Sequence, residues 1–206
     1  IIEERVHRIA ERIARWVRLS GKKPEDRKAV FVLHKNECAG LEASVGGAGG
    51  LDTGESVVRI MRALKKDGYL LENIPETGED LMQMILSRKA IAEFRWTTVD
   101  EIVEKNGHLL LLENETYRIW FDALPEKAKR ELVKSWGNPP GEELNGVPPS
   151  MVYQGKLVIT GLSFGNVFVM MQPKRGCAGA RCDGQVCKIL HDPDIPPPHQ
   201  YIATYM

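Results

Sequence analysis

The 206 residues are 43% hydrophobic and 27% charged, which suits one globular domain or a domain with a small lobe. The 28 Lys and Arg balance the 28 Asp and Glu, so no net field draws the chain to nucleic acid or to an anionic membrane. No apolar run approaches the roughly 18 residues of a bilayer span, no signal peptide opens the sequence, and four cysteines do not make a disulfide scaffold, so a reducing, cytoplasmic setting is expected.

The first segment, 1–27, opens on Ile2, Val6, Ile9, Ile13, Trp16 and Val17 at three- and four-residue spacing between Arg and Glu, which predicts an amphipathic helix. The sequence does not begin with Met, and His199 to Met206 reads as a helix opening after a triple proline. A piece of a longer polypeptide is therefore expected. Segment 28–95 begins with Lys28 to Leu33, a nearly continuous apolar run expected as a strand buried on both faces. A glycine-rich stretch follows from His34 to Asp52, then a helix from about Thr53 with Val57, Ile60, Met61 and Leu64 inward and Gly68 as its stop. Tyr69 to Ile74 is expected as a second strand and Gly78 to Ala92 as a second helix, together the opening of a βαβ unit.

Segment 96–149 reads as a helical lobe and linker. Val99, Ile102 and Val103 mark one helix, Tyr117, Trp120, Phe121 and Leu124 another, and a third runs from Pro125 to Trp136. In 150–206, Met151–Tyr153 and Leu157–Thr160 flank Gln154-Gly155 as a hairpin, and Asn166 to Met171 is a strand. The expected fold is α/β: a Rossmann-like sheet containing parallel strands, a small helical lobe, and a C-terminal β-hairpin and strand.

The last strand leads into Gln172 to His199, a Gly/Pro-rich stretch that collects Cys177, Cys182, Cys187, His191 and His199. Loops at strand ends are where α/β proteins place their sites. The spacing C-x4-C-x4-C-x3-H matches no established zinc or iron–sulfur pattern, so the thiols are either metal ligands or redox groups, or small packing residues. His191-Asp192-Pro193-Asp194 and His199 offer imidazole and carboxylate groups that can take protons or hold a divalent cation; the alternative is a solvated turn. The glycine-rich stretch lacks a Gly-Lys-Ser/Thr ending and the dinucleotide fingerprint, leaving either anion binding or a flap that lies close to a flat ligand. His34 gains interest from its place at the end of the first strand, whereas surface positions suffice for His7 and His108.

Met171-Gln-Pro-Lys-Arg-Gly176, His191-Asp-Pro-Asp-Ile-Pro-Pro-Pro-His-Gln-Tyr-Ile-Ala-Thr-Tyr205 and Leu51-Asp-Thr-Gly-Glu-Ser56 resemble the large subunit of ATP-dependent cobaltochelatase and its relative, the H subunit of magnesium chelatase. The resemblance runs from about residue 28 to the end. The stretch Cys177 to Cys187 is longer than in the bacterial aerobic enzymes and is similar to archaeal and anaerobic versions.

The resemblance implies a subunit that binds a tetrapyrrole and inserts a divalent metal as substrate, cobalt foremost or magnesium, while AAA+ partner subunits use ATP. The family's Gly-Thr-His-Gly segment is missing, so this piece alone is expected to be inactive. His191, Asp192 and His199 are then the expected catalytic groups. Lys174, Arg175, Arg181 and Glu42 are the expected substrate-binding groups, with Cys177, Cys182, Cys187 and Asp183 toward the metal. Two other classes compete: a metal or Fe–S module built on Cys38, Cys177, Cys182 and Cys187, and a docking segment for the AAA+ subunits.

Overall fold

The computed structural model describes residues 2–34, 49–91, 97–144, 149–173 and 194–206. Its organising element is β1 (Ala29–Leu33), which pairs in parallel with β6 (Val167–Met171), Ala29 against Val167 and Leu33 against Met171. The short β5 (Leu162–Ser163) adds to the far side of β6 in antiparallel sense, giving a sheet of order β1-β6-β5. Side chains alternate across a strand. Leu33, Val167, Val169 and Met171 accordingly enter one core with Val57, Val58 and Met61 of α2 (Thr53–Lys66) and Leu81 and Ile85 of α3 (Gly78–Ser87).

Both helices begin at a side-chain cap. Asp52 accepts from the Glu55 amide at 2.9 Å, and Thr77 with Asp80 forms a reciprocal capping box. The two N-termini meet through glycines. A Cβ on Gly78 would fall 2.2 Å from the Glu55 nitrogen, and one on Gly54 would fall 2.9 Å from the Gly78 carbonyl oxygen. The Glu55 carboxylate completes this contact by accepting from the Gly78 amide at 3.0 Å and from Arg59 at 2.8 Å. Hydrogen bonds from Arg59 and Gly78 hold the Glu55 carboxyl below its ordinary range.

A second sheet, of order β2-β4-β3, is antiparallel throughout: β2 (His108–Leu112), β4 (Lys156–Thr160) and β3 (Val152–Tyr153). Gln154 and Gly155 close the β3–β4 hairpin with φ of 47° and 78°, as expected for its two-residue turn. One face of this sheet packs Val158 and Leu111 on α4 (Val99–Glu104). The other packs Leu112, Leu157 and Ile159 on α5 (Asn114–Asp122), α6 (Glu126–Trp136) and α7 (His199–Thr204). Met170 of β6 reaches into this second core, which joins the two sheets.

Several local expectations change. β1 is not buried on both faces, because Val30 and Val32 are exposed while Leu33 enters the core. Ile60, expected inward on α2, is exposed. Tyr69 to Ile74 contributes only an isolated bridge, Leu71 to Gly165, so the parallel partner of β1 is β6. The second helix ends at Ser87, short of Ala92. The 96–149 stretch is not purely helical, because His108-Leu-Leu-Leu-Leu112 is β2. Four leucines carry helix propensity, and antiparallel pairing with β4 overrides it. His108 is half-buried there instead of lying on the surface, with Nδ1 buried and unpaired among the described residues. The N-terminal helix α1 (Glu3–Ser20) forms as expected, but its apolar stripe stays in solvent.

Candidate functional site

The parallel pairing of β1 and β6 decides where the candidate residues are delivered. Leu33 and Met171 are register partners at the carboxyl ends of their strands, and the Gln172 amide donates to the Leu33 carbonyl at 2.9 Å. The chain therefore leaves the sheet at His34 and at Pro173 side by side, on one edge. Residues 35–48 and 174–193, which carry nearly all the expected site groups, start from these neighbouring points. In open α/β sheets the carboxyl ends of parallel strands are the edge that ligands use.

The return of each segment is also fixed. The first re-enters at Gly49 and Gly50, with φ of 53° and 87°, ahead of the Asp52 cap of α2. Gly50 can hold that positive φ because it lacks a Cβ. The second re-enters through Pro196–Pro198 into α7, and two hydrogen bonds from the end of α6 hold it. Trp136 Nε1 donates to the Pro196 carbonyl at 2.7 Å. His199 Nε2 lies 2.9 Å from the Gly137 carbonyl, which can only accept, so Nε2 carries the proton.

His199 Nδ1 is then an acceptor, and the Tyr117 hydroxyl donates to it at 2.9 Å. His199 is 1% exposed, and its ring packs on Tyr117 and Phe121 with centroids 5.5 Å away from each. Burial lowers the His199 pKa; the Gly137 hydrogen bond and the nearby Glu142 carboxylate oppose that shift without cancelling it. Burial pushes the Tyr117 phenol upward, so it stays protonated as a donor. Glu142 is held at the same turn by the Asn138 amide and side chain, both at 3.0 Å. Gly137 turns with φ of 77°, and the Glu142 side chain occupies the place a Cβ there would take.

Both nitrogens of His199 thus have partners, and burial favours its neutral form. Its expected catalytic role would have to be exercised from this buried, bonded position. His199 clamps the start of α7: Tyr117 and Gly137 bond its ring, and Trp136 bonds the nearby Pro196 carbonyl.

Glu42, Lys174, Arg175, Cys177, Arg181, Cys182, Asp183, Cys187, His191 and Asp192, and also Cys38, lie outside the described residues. His34 is exposed at the end of β1. Among the described residues no group of three His, Cys, Asp or Glu side chains could hold a metal ion. Tyr117, Trp136 and Gly137 were not singled out from the sequence as site residues. Tyr117 sits within a helical apolar stripe and reads as core, and only its need for a hydroxyl partner distinguishes it from Phe.

A mixed α/β module with adjacent parallel strand ends, each feeding a segment rich in chemical groups, is thus the class that the fold defines. The family model described as CobN/Magnesium Chelatase matches residues 1–206, and the chain belongs to that family. A Methanocaldococcus jannaschii protein is 54% identical over 99% of this chain and 17% of its own length. The aerobic cobaltochelatase subunit CobN of Pseudomonas aeruginosa is 29% identical over 98% of this chain and 15% of its own. The solved catalytic subunit of cobaltochelatase from Mycobacterium tuberculosis superposes with a TM-score of 0.66 at 27% identity, covering 91% of this chain and 14% of that one. The chain spans about one-sixth of the length of the relatives it matches.

Proposed function

We propose that these residues form part of the tetrapyrrole-binding, metal-inserting subunit of a chelatase, with cobalt or magnesium as the metal substrate. Family membership supports the reaction class. The observation that supports the location is the shared edge at His34 and Pro173, from which both candidate segments depart.

Insertion has to strip water from the cation, remove two pyrrole protons and bring the metal onto the ring. His191 and Asp192 are proposed as the groups that accept protons and pass the cation toward the ring. Lys174, Arg175 and Arg181 are proposed to meet the peripheral carboxylates of the macrocycle, with Glu42 facing them from the glycine-rich segment. Cys177, Cys182, Cys187 and Asp183 are proposed as a transient site for a soft divalent cation, cobalt in the first instance. His199 acts through position: its bonds to Tyr117 and Gly137 fix where the segment bearing His191 returns to the fold.

ATP hydrolysis is assigned to AAA+ partner subunits. A cytoplasmic setting is proposed with them, and no helix among the described residues is long and apolar enough to cross a membrane. Equilibrium titration of the longer protein with metal-free corrin precursors and with protoporphyrin tests the reading. Saturable binding of one of them, weakened in the Lys174→Ala/Arg175→Ala variant, is expected. No binding of any metal-free tetrapyrrole would reject it.

A further inference from the structure

α1 carries a repeat that the rest of the described structure does not use. Ile2, Val6, Ile9, Ile13 and Trp16 alternate at four- and three-residue steps, the spacing of a coiled-coil seam, with Val17 beside it. Each of these six side chains is between 52% and 68% exposed, and no residue of α1 is buried. The two flanks differ. Arg5 and Arg12 border one side, and Ala10 and Ala14 the other. Among the described residues Arg8 pairs with Glu4 and His7 with Glu11, whereas Arg5 and Arg12 have no acidic partner.

A second copy of the chain fits this surface poorly. Antiparallel pairing sets the Arg5/Arg12 flank against itself, and parallel pairing sets it against Ala10 and Val17. A separate protein also has little to hold. The 18 residues make a helix about 27 Å long, and one face of it falls well short of the roughly 800 Å² per partner of a stable interface. A tethered partner needs much less area, because linkage supplies an effective concentration in the millimolar range. About five-sixths of the length of the relatives lies outside the matched region.

We propose that α1 docks one amphipathic helix of the same, longer polypeptide. That helix carries aspartate or glutamate along the side turned toward Arg5 and Arg12 and packs closely over Ala10 and Ala14. The apolar seam supplies the attraction, and the arginine flank sets register and orientation.

The experiment places a photoreactive benzoylphenylalanine at Ile9, and separately at Ile13, in the longer protein, and maps the cross-link by mass spectrometry. A cross-link inside the same polypeptide is expected, to a helix outside residues 1–206 that carries acidic side chains at three- and four-residue spacing. A cross-link to a second copy, to another protein or to lipid, or none at all, overturns the proposal. Hydrogen exchange of the α1 amides then tests the arginine flank. Arg5→Glu/Arg12→Glu is expected to speed exchange at residues 6–17 about fivefold. Removing charge away from the seam, Arg15→Gln/Arg18→Gln, which breaks no ion pair among the described residues, is expected to leave it within twofold. Equal effects of the two pairs would overturn the assigned orientation.

Discussion

Tyr117→Phe isolates the clamp behind the candidate site. The substitution keeps the ring that packs on Phe121 and His199, so it opens no cavity, and it removes one hydroxyl. His199 Nδ1 then remains a buried acceptor with no other hydrogen-bond partner among the described residues. An unsatisfied buried acceptor of this kind costs about 1–3 kcal/mol. At about 2 kcal/mol, local opening of α7 becomes roughly 30-fold more frequent. Native-state hydrogen exchange at Ile202 and Ala203 reads this directly in the longer protein. Exchange within threefold of wild type would refute the hydrogen bond and the positioning role built on it. The same group gives a pH signature. His199 is neutral when folded and its pKa is lowered by burial, so below about pH 6.5 the unfolded chain binds more protons than the folded one. The stability contributed by neutral His199 is complete above that pH and is lost as pH falls toward the folded-state pKa. His199→Gln is expected to flatten this part of the profile.

Gly78→Ala places a methyl against the backbone of Gly54 and Glu55, contacts as short as 2.2 Å, so the α2–α3 junction must separate. A loss of about 3 kcal/mol or more is expected in urea unfolding, against less than about 1 kcal/mol for an exposed control such as Ser87→Ala. Cys177, Cys182 and Cys187 are expected to be reduced, with at least one thiol shielded from modification by cobalt or zinc. Thiol titration that is unchanged by either metal would reduce them to packing residues.

The fold was legible wherever local chemistry and tertiary pairing agree. The helix starts at Thr53 and Gly78, the Gln154-Gly155 hairpin and the apolar β6 all stand where their residues place them. The misses fall where long-range pairing decides. The β1 partner lies more than 130 residues away at Val167–Met171, and a strand expected nearby at Tyr69 to Ile74 offered a plausible but wrong alternative. The run of leucines in β2 carries no β-branched residue, so its strand character comes entirely from β4.

The candidate site shows the same division. That two chemically rich segments follow apolar strands is written in the sequence; that the strands are neighbours, so the segments start together, is a property of the sheet. His199 stands out in the sequence as a histidine beside prolines, but only the burial of its ring against Tyr117 reveals that neither nitrogen is free. The Leu51–Ser56 motif likewise has a structural reading: Asp52 caps α2, Gly54 permits the close crossing, and Glu55 binds the Gly78 amide.

The central claim is tested most directly by His191→Ala in the longer protein, assayed with the proposed AAA+ subunits, ATP and saturating cobalt or magnesium. A proton-accepting or metal-passing imidazole acts on the chemical step, so the insertion rate should fall about 10²–10⁴-fold while the dissociation constant for the metal-free tetrapyrrole stays within about threefold. An insertion rate equal to wild type would contradict the account and return His191 to an ordinary turn.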